Sequence, residues 1–472
     1  MMKYLTKLFF TLCLTFLFMH GKAMQDSSHL RIFSVQELLS DYDSLHKIII
    51  GNHPALWADA DSITTEQRWK EIRKKIDRPM KRWEFIELVA PATTQYNDGH
   101  TALTYDFEFE EVEQLIARNG KLFPYRVRLY NDTLWITENW KDSSSLYRGL
   151  MVQSINGIAI QDIIKRMLPI VPADHYRMKE ASLSRLFPFL LWSLYGWEDQ
   201  YQMVLQDHYQ QKNSTIAVEG ITMNGFFQRQ FPRKKWNLQL FKDQQLAIIS
   251  CSSYNNYAEA IRFIDSAFAV LQQENIQHLA FDIRNNGGGN SSIGDHLLAY
   301  IAKQPYIDVY SKTLRNGSMM SRFKENSGMQ RMLQNFIKNG VQQGNNYTMR
   351  FQTKALDTSI KKENIFRGQF YLLTGPITYS SAHMTALSVK SAKLGTILGE
   401  PTGERIDLTG ENVSFTLPHT KLYGYCSLAV YEGAITDKKS KGVQPTIFIP
   451  FQPAALLSGK DPVIEKLREL IQ

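Results

Sequence analysis

Cysteine is scarce in this sequence, and the scarcity narrows the field first. Three thiols occur in 472 residues, and one of them, Cys13, lies inside an N-terminal apolar run, which leaves Cys251 and Cys426. Two thiols rule out a disulfide-rich scaffold and a four-thiolate zinc site, and permit a single disulfide at most. No HExxH pair occurs among the eleven histidines, so no metal or other cofactor is expected. The stretch "RNNGGGNSS" (284–292) lacks the spacing of a dinucleotide fingerprint, and no Gly-Lys-Ser/Thr follows to make a P-loop. Charge of one sign is also in short supply. The formal balance of +8 falls to +5 once Lys3, Lys7 and Lys22 are removed with the N-terminal segment. The densest basic run, "RWKEIRKKIDRPMKRW", places Ile72, Ile76 and Trp83 at helical spacing, which reads as a solvated helix face rather than a nucleic-acid surface. After the N-terminus no apolar run is long enough to cross a bilayer, and there is no internal repeat or low-complexity segment.

What is present begins with "MMKYLTKLFFTLCLTFLFMHGKAMQDSS": two lysines, an apolar run of signal-peptide length, then Gly21 and Ala23 at small-residue cleavage positions. Cleavage after Ala23 and export, to a periplasm or cell envelope or beyond, are the expectation. The remaining length calls for more than one domain. Residues 24–106 read as a helical unit. "SVQELLSDYDSLHKII" opens with a Ser cap and a Glu three residues on, and the unit closes on "QYNDGHTALTYDF", a turn running into a strand with His100 at its edge. Residues 107–234 read as a β-rich unit, with the strands "YRVRLY" and "TLWITENW" and a strand, Asn156-Gly157 turn and helix from about Ile160. Such a unit suits pairing with an extended peptide. From residue 235 to 472 strands and helices alternate, with Ile261, Ile264, Phe268 and Leu271 on one helical face, which predicts an α/β core with helices packed on a sheet.

Three stretches carry candidate chemistry. In "GPITYSSAHMTALSVKSAKLGTILGEPTGE" a strand turns into a helix at Ser380-Ser381. A serine there either caps the helix or is exposed as a nucleophile beside free N–H groups. The three glycines 287–289 allow a backbone to approach a developing oxyanion closely. His100 is a candidate general base.

Taken in the order "DGHT", "DIRNNGGG", "TYSSA" with "LGEPTG", these motifs resemble the C-terminal processing, or tail-specific, serine proteases. They are most similar to the branch of the tricorn core and nisin-resistance protein, which uses a DGHT-type histidine. The resemblance spans nearly the whole mature chain, including a "HPALW"-like stretch. It implies a PDZ-like middle domain and a core similar to the ClpP and crotonase folds. It also implies a serine endopeptidase acting through an acyl-enzyme on extended polypeptides or C-terminal tails. Carried over by motif, the nucleophile is Ser380, the base is His100, and the oxyanion hole is formed by the backbone of Gly288 and Ser381. Asp437, near "GVQP" with Glu432, is the acidic residue expected to orient the histidine, while Asp98 reads as a turn residue. The chain departs from the Ser/Lys members of the family, carrying Arg405 where they have lysine, and arginine cannot act as a base. His383 replaces the glutamate that commonly follows the serine motif and reads as a surface residue of the helix start. These departures keep alive a catalytically silent member, acting as a ligand-binding or scaffold protein of the envelope.

Overall fold

The computed structural model describes residues 31–104, 110–141, 146–230, 235–325, 327–354, 360 and 364–472. The expected signal segment and its cleavage position lie outside the described residues. No helix of the described residues is long and apolar enough to cross a membrane.

The later part of the chain is built on a six-stranded sheet, one of two of that size among the described residues. Its strands run in the order Trp236–Phe241, Leu246–Cys251, His278–Asp282, Gln369–Thr374, Thr396–Gly399 and Ile447–Phe448, all parallel except the first. Side chains alternate across a strand, and here they separate two cores. Ala247, Ile249, Leu279, Phe281, Phe370 and Leu372 pack under the helices Tyr257–Gln273, Ser291–Ala299 and Ser381–Ser391. Leu246, Ile248, Ala280, Tyr371 and Leu373 face the other way, onto Val463 and Leu467 of the C-terminal helix Pro462–Leu470. The amphipathic reading of residues 257–273 holds for Ile264, Phe268 and Leu271, which are buried, while Ile261 is only half-buried.

A second, antiparallel sheet joins Val341–Gln343, Asn346–Arg350, Val309–Arg315, Ala429–Gly433 and Thr409–Gly410. A third has three strands, and one of them comes from the other end of the chain. Ala102–Thr104, just after the DGHT turn, pairs with Tyr423–Cys426, placing Ala102 opposite Tyr425. This pairing carries His100 into the body formed by the later residues.

The N-terminal unit is helical, and Ser34 and Glu37 form the expected reciprocal capping box at the start of Val35–Asn52. The basic run is not one helix. Ser62–Lys74 ends ahead of Pro79, and a new helix begins at Arg82, since proline at 79 can neither donate an N–H nor leave the residue before it helical. The middle segment contains the expected strands and the Asn156-Gly157 turn, where both residues have positive φ. It is less β-rich than its sequence suggests. Tyr176–Tyr195 forms a 20-residue helix containing Pro188, with apolar side chains buried on nearly every face, so its periodicity is blurred by double-sided burial. Cys251 and Cys426 are both buried free thiols.

Candidate active site

The carboxyl ends of the parallel strands open onto a cleft of about 1930 Å³, where ligands of open α/β sheets commonly sit. Three of its walls are the motifs singled out from the sequence: His100, Gly287–Gly289 and Ser380-Ser381 all line it.

Ser380 stands at the elbow between strand Gln369–Thr374 and helix Ser381–Ser391, with φ 54° and ψ −128°. A side chain rarely adopts such a conformation, and holding it costs about 1–3 kcal/mol. The surroundings enforce it. Thr378 Oγ donates to Ile283 O at 2.8 Å and accepts from Gly375 N, while Tyr379 N donates to Asn286 O at 3.0 Å. Ser380 caps nothing with its side chain. Ser381 is occupied differently, its Oγ donating to Gly289 O at 2.6 Å. As the first helical residue, Ser381 has an N–H with no intrahelical acceptor.

The glycine bend lies against this elbow. A Cβ on Gly288, whose φ is +97°, would stand 2.6 Å from Ser380 Cβ and 2.9 Å from Ser381 N, so no side chain fits there. The Gly288 amide, assigned from the sequence to the oxyanion hole, is not idle: it donates to Asn286 Oδ1 at 2.8 Å, closing a local turn.

His100 is buried at 7% exposure, and its ring packs on Tyr379 with centroids 4.6 Å apart. Its Nδ1 lies 3.2 Å from Glu404 Oε1 and 3.4 Å from Thr409 Oγ1. The other carboxylate oxygen, Glu404 Oε2, accepts the backbone N–H of Ser380 at 2.6 Å. One buried carboxylate therefore touches the histidine ring and the serine backbone together. Burial alone would lower the His100 pKa, but Glu404, then Asp98 and Asp174, more than offset it, and the imidazole is held above its ordinary value.

Asp437 is not the acid beside His100. It sits on an exposed turn, where its carbonyl accepts from Ser440 N, and Glu432 accepts from Ser311. The reason is the path of residues 400–405, which double back across the base of the elbow: Glu400 N bonds Thr374 O and Gly403 N bonds Thr378 O. Glu404 was missed because its two contacts lie 304 and 24 residues away in sequence; its place one residue before Arg405, in a motif already noted, was the available signal.

Asp98 is more than a turn residue. It accepts from His100 N at 2.7 Å, and also from Thr409 Oγ1, Ser427 Oγ and His53 Nε2. Ala55 N donates to His53 Nδ1, so His53 presents its Nε2 hydrogen to Asp98. Burial would raise the Asp98 pKa, but the bond and charge of His53, followed by His100 and Arg405, hold it well below the carboxylate range. His53 belongs to the "HPALW" stretch. Arg405 is committed to carboxylates, pairing with Asp59 at 2.5 Å. His383 is fully buried rather than at the surface, with Nδ1 2.8 Å from Thr402 Oγ1. Burial, reinforced by His175, drives its pKa down to about 3. Among the described residues no group of three or more His, Cys, Asp or Glu side chains is arranged to hold a metal ion.

Residues 245–449 match the model of a protein family described as peptidase family S41. Among solved structures, mature CPAF complexed with lactacystin is 13% identical, with a TM-score of 0.65 over 93% of this chain and 98% of that one. A CPAF mutant is 12% identical with a TM-score of 0.67, over 93% and 97% of the two chains. Mature CPAF in a further structure gives 12% and 0.64 over the same shares. At these identities the likeness shows a shared fold of mixed helices and several β-sheets. The comparison with curated protein sequences gave no match.

Proposed function

Residues 245–449 make this chain a member of peptidase family S41, a serine-type peptidase, and from that premise we propose a Ser380–His100 endopeptidase in which Glu404 holds both partners. Ser380 Oγ attacks the peptide carbonyl, and His100 Nε2 takes its proton and returns it to the leaving amine. Glu404, on the Nδ1 side, fixes the ring and stabilises the imidazolium formed during attack. The Ser381 N–H meets the developing oxyanion. The Gly288 N–H joins it by exchanging Asn286 Oδ1 for the charged oxygen, a stronger acceptor.

The observation that carries this reading is the double contact of Glu404, with His100 Nδ1 at 3.2 Å and Ser380 N at 2.6 Å, at an elbow whose serine is held in a strained conformation. The core from residue 235 is read as ClpP/crotonase-like, supported by its mostly parallel sheet with three helices on one face and the C-terminal helix on the other. The middle segment is read as PDZ-like. Its edge strand Tyr125–Tyr130 brings Arg126, Val127 and Arg128 to the cleft wall, which suits strand addition by an extended polypeptide or a C-terminal tail. The N-terminal sequence supports export. A fluorophosphonate probe tests the assignment: the folded protein should be labelled covalently, Ser380→Ala should abolish labelling, and Ser381→Ala should retain it. Labelling that survives in Ser380→Ala contradicts the reading.

A further inference from the structure

Asp174 belongs to the middle segment, in the turn "VPADHY" immediately before the helix Tyr176–Tyr195, yet its side chain is wholly buried at the active site. Its Oδ1 accepts from Gly99 N at 2.9 Å and from Tyr379 Oη at 2.6 Å. Its Oδ2 accepts from Arg405 N at 3.2 Å, with Arg405 Nε at 3.4 Å. The donors share one property. Gly99 precedes His100, Tyr379 precedes Ser380, and Arg405 follows Glu404. A single carboxylate from outside the α/β core thus grips the chain neighbour of every member of the proposed triad.

The surroundings are tight and buried. A Cβ on Gly99 would lie 2.6 Å from Tyr379 Oη, so the histidine turn and the serine elbow touch at this point. Ala173 and Met178, which flank Asp174, form a small buried cluster with Tyr379. In such surroundings hydrogen bonds to a carboxylate are strong, and losing the acceptor leaves its donors stranded. A plain structural staple would explain a buried carboxylate with three donors. It does not explain why all three donors are neighbours of the reacting residues while the acceptor comes from a different segment.

We propose that Asp174 is a positioning residue for the Ser380–His100 pair, through which the middle segment completes the catalytic geometry of the core. This rests on the Ser–His reading above. The core is then incomplete without the middle segment, whatever that segment also does in holding substrate.

The test uses the full chain and two variants. Asp174→Asn keeps the shape but turns an amide group toward donors, and Tyr379→Phe removes one donor while keeping the ring under His100. A displacement of about 1 Å can cost on the order of 100-fold in rate, so Asp174→Asn should lower kcat and the rate of fluorophosphonate labelling by at least about tenfold, and Tyr379→Phe by roughly threefold or more, with KM within about twofold. Asp174→Asn should also move the pH dependence of labelling to lower pH, because the Asp174 charge helps hold the His100 proton. Labelling of both folded variants at the wild-type rate with an unmoved pH profile overturns the proposal. Failure of the wild type to label at Ser380 would instead overturn the Ser–His reading on which it stands.

Discussion

Two histidines touch the same short loop, and they are driven in opposite directions. His100 reaches Glu404 and His383 reaches Thr402, both within residues 402–404. Both rings are buried, so desolvation favours the neutral form in each. Around His383 the neighbours are a threonine hydroxyl and a second histidine, His175, and its pKa falls to about 3. Around His100 stand the carboxylates of Glu404, Asp98 and Asp174, and its pKa rises. Burial sets the default and carboxylates decide the outcome. Only the His100 pocket can stabilise an imidazolium, which is what a general base becomes in the course of its work.

The sharpest way to break this comparison is to remove each ring in turn. His100→Gln should lower kcat/KM for peptide hydrolysis roughly 10²–10⁴-fold, the usual worth of a general base, whereas His383→Leu should stay within about threefold of wild type. Equal losses in both would erase the distinction.

A second effect bears on what holds the His100 turn. Asp98 accepts four bonds, and Asp98→Asn turns an amide group toward donors. With two donors losing a charged acceptor at about 1.5 kcal/mol or more each, the variant should unfold about 3 kcal/mol more easily in denaturant. The sign with pH follows. The Asp98 pKa is depressed in the fold, so its contribution is fully present above the ordinary Asp value and fades as pH falls below it. The difference between wild type and variant should therefore shrink in acid.

A third effect concerns His383. Its pKa is lowered in the fold, so the unfolded chain binds the extra proton first, and stability is lost as pH falls from about 6.5 toward the folded value of about 3. Unfolding curves of His383→Leu should lose less stability between pH 6.5 and 4 than those of the wild type. An unchanged slope would show that this ring is not the neutral, buried group described here.

Much of the architecture was legible because local rules and the fold agree. The Ser34–Glu37 box, the Asn156-Gly157 turn and the strand–helix alternation after residue 246 each need only a few neighbouring residues to be recognised. The motifs at His100, Gly288 and Ser380 were legible as separate loops. What stayed hidden depends on pairings across the chain: Ala102 opposite Tyr425, Glu404 under Ser380, and Asp174 between three loops. Asp437 was favoured for its place near "GVQP", and no local pattern reveals that its turn is exposed while Glu404 is inside. The helix Tyr176–Tyr195 escaped for a related reason, since burial on nearly every face removes the polar stripe that announces a helix. The family resemblance tied the motifs to one another; the contacts of Glu404 with His100 and Ser380 emerge only from the geometry.

The account turns on Glu404 holding His100 and Ser380 together, and the pH dependence of Ser380 labelling in wild type and Glu404→Gln measures this most directly. Labelling needs a neutral His100 Nε2, so the wild-type rate should climb through a midpoint above the ordinary histidine value of about 6.5. Without the carboxylate the imidazolium loses its main support, and the midpoint of Glu404→Gln should move to lower pH while the maximal rate drops. A variant with the wild-type midpoint and the wild-type rate would contradict the account.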